Sequence, residues 1–220
     1  NLDLSIESPA QSWNAITIGA FTHKILPETN TVANKFELSP YSRTSSSWES
    51  LWPIKPEVVF EGGNLAKLEN DSIDYHEDLD ILTTSSNTAI NSFARFNATS
   101  AATAFASNFL AKLRDVYPNA WPETLRALMI HSASWNSEMI KQFKIDLKKV
   151  GDKQKLLRIF GYGVPNLEKA IECKSNYLTF ISEEVIQPYK LDGTIKTNEI
   201  HYYEFPWPSE ILANLGSANV

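Results

Sequence analysis

The sequence predicts an α/β fold, a mainly parallel sheet with helices on both faces, followed by a β-rich tail. Three observations predict it. Residues 14–21 (NAITIGAF) and 58–60 (VVF) are short apolar strand patterns separated by loop-like sequence. The Ala-rich segment 100–116 carries apolar residues at helical spacing. Beyond residue 175 β-branched and aromatic residues dominate, around a Leu191-Asp192-Gly193 turn signal.

Each element follows from its local pattern. Ile and Thr alternate through 14–21, as a buried strand requires, and the Pro-, Ser- and Thr-containing residues 23–50 form a loop. The 58–60 strand is stopped by Gly62-Gly63. Residues 67–80 (KLENDSIDYHEDLD) are acidic and predict a surface loop, and 81–84 a short strand. In 100–116 the residues Ala101, Phe105, Phe109 and Leu113 recur four apart and predict the inward face. This helix is expected to be the most buried one. Pro122-Glu123-Thr124 opens a second helix with Pro in its first turn, turning Leu125, Leu128 and Met129 inward. Residues 136–150 predict a more polar helix. Gly161-Tyr162-Gly163 interrupts the chain before a short helix over 165–173. NYLTFISEEVIQPY and EIHYYEF predict strands. Two regions are expected, 1–174 and a β-rich unit beginning in 175–220.

Composition narrows the function. At 220 residues, 43% hydrophobic and 21% charged, the chain can bury a sizeable core. Twenty Lys and Arg against 26 Asp and Glu give −6 with no basic block, which argues against nucleic acid as a partner. No apolar run approaches the ~18–20 residues of a bilayer span, so no membrane partner is expected. The single cysteine, Cys173, is expected to be an inert buried thiol; it excludes an internal disulfide and fits a reducing, cytoplasmic compartment. The chain opens Asn-Leu-Asp-Leu without Met, so a piece of a longer protein is expected.

The chemistry centres on Asn97-Ala98-Thr99-Ser100-Ala101-Ala102-Thr103-Ala104. A serine in the first turn of a helix can attack a carbonyl while its own unpaired N–H holds the resulting oxyanion. The same serine also suits a plain N-cap of an Ala-rich helix. The surrounding segments decide between the two. The octet resembles the Gly-Thr-Ser-x-Ala-(Thr/Ser)-Pro pattern of the subtilisin-like serine peptidases. In the family's order come Pro9-Ala10 with residues 15–20, Ser39-Pro40-Tyr41-Ser42-Arg43-Thr44-Ser45 and Lys55-Pro56-Glu57-Val58-Val59. Tyr117-Pro118 with residues 123–128, and Gly161-Tyr162-Gly163-Val164-Pro165-Asn166 with Lys169-Ala170, complete the set. Residues 60–64 (FEGGN) and Pro206-Trp207-Pro208 are similar to an intracellular bacterial branch.

The resemblance covers residues 7–173 and implies the C-terminal half of a three-layer catalytic domain. It implies Ser100 as nucleophile and oxyanion donor of an endopeptidase, with Asn97, Gly62, Gly63 and Glu7 contacting substrate. Glu7 falls at the base of the pocket for the residue before the scissile bond, where a substrate Lys or Arg would pair with it; the alternative is an exposed turn residue. Two departures stand out: the family's Gly is Ala98, and its final Pro is Ala104. The family's Asp and His precede the serine in the chain, as does the oxyanion amide. His23 and His76 lack the His-Gly-Thr context, no Asp-x-Gly strand end is present, and Asn1 lacks a preceding Ala-Gly. The chain alone is therefore expected to be silent. A pseudopeptidase, supported by Ala98, and an acid-acting relative with carboxylate partners are the competing readings.

The other candidates have plainer explanations. His131 sits near a helix C-terminus and is expected to be structural. Asp71, Asp74, His76, Glu77, Asp78 and Asp80 have oxygens enough for calcium, but their spacing fits no EF-hand; a solvated loop with no cofactor or metal is expected. Glu61 either faces the cleft or hydrogen-bonds within its own loop. Trp13, Trp52 and Trp121 are expected in packing. The partners implied are a peptide or protein substrate, the other half of the domain, and a second copy through an exposed sheet face.

Overall fold

β1 (Ile18–Phe21) and β2 (Val58–Glu61) pair in parallel, Ile18 opposite Val58 and Phe21 opposite Glu61. Side chains alternate between the two faces of a strand, and here both faces are covered. On one face Ile18, Ala20 and Val58 pack with α1 (Ala98–Val116), α2 (Pro122–Ser132) and α5 (Leu167–Glu172). On the other, Phe21 and Val59 pack with Met139 of α3 (Ser137–Gln142) and Leu156, Ile159 and Phe160 of α4 (Val150–Phe160). Each of these side chains larger than Ala20 contributes about 1.5–3 kcal/mol by leaving water. The computed structural model describes residues 4–27, 30–172 and 180–204. They fall in two compact units, Asn1–Tyr177 and Leu178–Val220. Cys173 and Pro206-Trp207-Pro208 lie outside the described residues.

The α/β class holds, with one difference in the sheet. Among the described residues β1–β2 is the only parallel strand pair, beside an isolated parallel bridge between Ser5 and Thr44. β3 (Ala66–Lys67) with β4 (Ile73–Asp74), and β5 (Ile81–Thr84) with β6 (Phe93–Phe96), are antiparallel. Their strands adjoin in sequence, and short connections can close only antiparallel pairs. The acidic stretch is thus partly ordered, with a 3-10 turn at Glu77–Leu79. In the second unit β7 (Tyr189–Asp192) and β8 (Thr194–Thr197) form a hairpin about Gly193, whose φ of 69° makes the turn. The expected strands flanking it are absent from residues 180–188 and 198–204.

The helices also differ in detail. α1 buries Ala101, Ala102, Ala106, Phe109 and Leu113, while Phe105 is exposed. Steps of four drift by about 40° each, whereas a 4-3-4 pattern stays on one stripe. Most of the remaining α1 surface is exposed, so α1 is the longest helix rather than the most buried. The polar helix expected over 136–150 ends at Gln142, because Lys144 takes a left-handed φ of 51°. α4 follows as a separate helix. It ends at Gly161 (φ 59°), where a β-carbon would collide with the Glu57 carbonyl; Tyr162 N–H donates to that carbonyl at 2.8 Å.

Buried charge ties these layers together. Lys55 is fully buried and its Nζ lies 2.5 Å from Glu57 Oε1, donating also to the Ala15 carbonyl at 2.8 Å. Glu57 accepts further from Thr17 N–H (2.6 Å) and Arg126 Nη2 (3.0 Å). One carboxylate thus joins the starts of β1 and β2 to α2. The outer edge of β1 is half covered. Thr17 and Phe21 carbonyls face β2, accepting from Glu57 and Gly62 N–H at 3.0 Å each. The even-numbered residues therefore face away. Segment 36–42 bonds Ala20 and Thr22 there, and nothing similar covers Ile16 and Ile18 among the described residues.

Glu57→Gln should cost about 3–5 kcal/mol in urea denaturation, because it strands a buried ammonium. Lys55→Met should cost clearly less, since Arg126 and the Thr17 N–H still hold the carboxylate.

Candidate active site

The site is built where the end of β2 passes beneath the start of α1. A β-carbon on Gly62 would lie 2.5 Å from Ala20 Cβ and 3.1 Å from the Ala98 carbonyl oxygen, so only glycine fits. Ala98 N–H donates to the Gly62 carbonyl at 2.8 Å. Ala98 itself holds φ 65°, the left-handed conformation that costs a residue with a β-carbon about 1–2 kcal/mol. The departure from glycine thus keeps the glycine-like backbone and bears strain. Asn97 before it is extended, and its Nδ2 donates to Asp80 Oδ1 at 2.8 Å.

Ser100 follows, exposed in the first turn of α1. The N–H groups of this turn have no partner within the helix. Ala98 spends its own on Gly62; those of Thr99 and Ser100 have no acceptor among the described residues. A serine hydroxyl and two open donors share the positive end of a 19-residue helix.

Beside this turn is a cavity of about 220 Å³, lined by Thr99, Gly19, Pro56, Pro9, Glu7 and Arg43 among others. Glu7 lines its wall, with its side chain 72% exposed. Its partner is internal, however: Arg43 Nη1 donates to Glu7 Oε1 at 2.7 Å and to the Ser5 carbonyl at 3.0 Å. The carboxylate therefore does not wait for a substrate cation. Gly62 and Gly63 are buried. Gly62 bonds Phe21 and Ala98, and Gly63 bonds Glu61 Oε1 (2.7 Å) and Ser39 Oγ (2.7 Å). None of their polar groups is left for a substrate.

Glu61 bonds within its own turn and beyond it. Its Oε2 accepts from His23 N–H at 2.6 Å and lies 2.5 Å from His23 Nδ1. His23 is thereby committed, and His76 Nδ1 accepts from Asp78 N–H as a turn cap. No hydrogen bond joins either ring to Ser100. His131 is exposed in the last turn of α2. The acidic residues are engaged singly. Asp71 pairs with Lys67, whose hydrogen bond and then charge hold its carboxyl below the usual range; Glu77 pairs with Arg95, and Asp80 with Asn97. No group of three metal-ligating side chains occurs among the described residues. Trp13, Trp52 and Trp121, expected in packing, are exposed. Arg43 and Tyr41, both in the Ser39–Ser45 motif, are the cavity residues whose roles the sequence left unread.

Tyr41 also lines the cavity, with its hydroxyl buried and unpartnered among the described residues. Burial first, then the charges of Asp80 and Tyr75, push its pKa up to about 12 from 10.0. The folded state thus holds this proton more tightly than the unfolded state. The contribution is complete below pH 10 and disappears as pH rises to about 12. Tyr41→Phe should remove that alkaline sensitivity, without loss of stability at pH 7, in denaturation curves run against pH. Ala98→Gly should relieve the left-handed strain and stabilise by about 0.5–1 kcal/mol, raising the melting midpoint by about 2 °C.

Comparison with curated proteins finds no match. A family model does match, described as the Subtilase family, over residues 1–163. That span contains β1, β2, the glycine turn and all of α1, the elements that carry Ser100. With most of its length matched, the chain belongs to the subtilase family of serine peptidases.

Proposed function

We propose that this chain supplies the nucleophile of a serine endopeptidase that works by acyl transfer. The observation that carries the proposal is Ser100, exposed in a first helical turn beside two open N–H donors. Ser100 Oγ attacks the scissile carbonyl carbon, and its proton passes to an imidazole. The carbonyl oxygen becomes an oxyanion held by the Ser100 N–H, and the amine leaves on taking the proton back. Water then hydrolyses the ester by the same steps in reverse.

The imidazole, its carboxylate and the oxyanion amide are proposed to come from residues upstream of this sequence. Two observations support this. Of the described histidines, His23 is taken up by Glu61 and His76 by the 3-10 turn, and the family's order places Asp and His before Ser. The uncovered β1 edge at Ile16 and Ile18 is where an upstream strand would add. Ala98 favours a second reading, a pseudopeptidase with the same fold. Its left-handed backbone supports the active reading instead, because the path into Ser100 is kept.

The chain alone should resist fluorophosphonate labelling and hydrolyse neither peptides nor esters. The full-length protein should label at Ser100, and Ser100→Ala should cut turnover by several orders of magnitude with the melting midpoint unchanged. Stoichiometric labelling of the isolated chain would overturn the upstream partners. An unlabelled, inactive full-length protein would establish the pseudopeptidase.

A further inference from the structure

The first turn of α1 lacks the side-chain cap that its own sequence is equipped to make. Asn97 is the N-cap residue, and asparagine is among the strongest N-caps, its side-chain oxygen accepting from the second or third N–H of the helix. In α1 those two groups are the N–H of Thr99 and of Ser100. Asn97 makes no side-chain bond to either. Its amide is turned to Asp80 instead, Nδ2 donating to Oδ1 at 2.8 Å. A carboxylate only accepts hydrogen bonds, so Asp80 holds the NH2 end of that amide. Asp80 is itself fixed. It closes the 3-10 turn at Glu77–Leu79, its N–H donating to the Glu77 carbonyl, and it immediately precedes β5, whose Ile81 pairs with Phe96 of β6. Asp80 and Asn97 therefore flank that pair on opposite strands.

We propose that Asp80 is a positioning residue: by holding the Asn97 amide it prevents the ordinary helix cap and keeps the Ser100 N–H open for the oxyanion. The proposal rests on the reading of Ser100 as nucleophile and oxyanion donor. The alternative arrangement is favourable for the helix and unfavourable for the reaction. Once released, Asn97 satisfies an orphan N–H and stabilises α1. An oxyanion forming at Ser100 then has to displace that cap before the donor can hold it. The stabilisation of the cap is lost only as the transition state forms, so the effect falls on kcat more than on KM. Asp80 acts only through Asn97, and its influence disappears when the Asn97 amide is absent.

The test uses the full-length protein and one peptide substrate. Asp80→Ala should lower kcat by about fivefold, the equivalent of one side-chain cap, with KM changed by less than about twofold. Asp80→Ala/Asn97→Ala should turn over faster than Asp80→Ala, because no amide is left to cap the helix. The melting midpoint should move the opposite way, falling from Asp80→Ala to the double variant as the cap is lost. Asp80→Asn, which keeps an acceptor oxygen, should lose less turnover than Asp80→Ala. Amide exchange at Thr99 and Ser100, followed by NMR, reads the donors without turnover. It should slow at one of them in Asp80→Ala and recover in the double variant. An unchanged kcat in Asp80→Ala, or a double variant no faster than Asp80→Ala, overturns the proposal. So do unchanged exchange rates. If Ser100→Ala keeps its turnover, the failure lies in the nucleophile; if turnover needs Ser100 and neither kcat nor exchange moves in Asp80→Ala, it lies in Asp80.

Discussion

Strand β2 is held at each end by a buried carboxylate, and the rest of the first unit is arranged around those two anchors. Glu57 sits at its start and Glu61 at its end, 6% and 7% exposed. A carboxylate in such surroundings is tolerable only when its lone pairs are filled. Glu57 fills them with Lys55, Arg126 and the Thr17 N–H; Glu61 uses His23 and the Gly63 N–H. Between the acids Val58 and Val59 point to opposite faces and carry one helical layer each. The ionic ends fix the register, and the apolar middle supplies the burial energy.

The candidate site inherits its geometry from the second anchor. Glu61 fixes the Gly63 N–H, the intervening Gly62 carbonyl fixes the Ala98 N–H, and Ala98 starts the helix that presents Ser100. Beyond the Glu61 carboxylate each link is a backbone group, so side-chain exchange along the path is permitted only where the backbone conformation survives. Gly62 tolerates no β-carbon because Ala20 and Ala98 approach it from both sides. Position 98 accepts one at an energetic cost, because its own carbonyl and N–H are already committed to the correct path.

Much of this was legible in the sequence, for local reasons. Val58-Val59-Phe60 before Gly62-Gly63 reads as a strand with a hard stop, and Pro122 marks the first turn of α2. Ser100 was legible because its helix-start pattern is contiguous. The Leu156, Ile159 and Phe160 spacing of α4 was equally local, but the polar residues before it masked its start. What stayed hidden joins distant positions. Arg43 meets Glu7 across 36 residues and His23 meets Glu61 across 38. Neither partner carries a mark of the other, since any exposed Arg or His is a plausible surface residue. Only the fold sets those registers.

The His23–Glu61 pair shows why geometry must precede residue type in assigning roles. An imidazole 2.5 Å from a buried carboxylate has the outward form of a catalytic dyad. Its carboxylate, however, is saturated by two backbone N–H groups, which marks a turn-holding device. Its position agrees. The cavity containing His23 and Glu61 is walled by Phe105, Asn108, Phe109 and Lys112, from the second turn of α1 onward. Ser100 lies at the start of that helix, and Phe105 stands about 7.5 Å further along its axis. A proton acceptor for Ser100 must reach the first turn, where the neighbouring Thr99 lines the Glu7–Arg43 cavity. On the proposed reading, the partners of Ser100 would therefore stand over the Thr99 cavity and not over the His23–Glu61 pair.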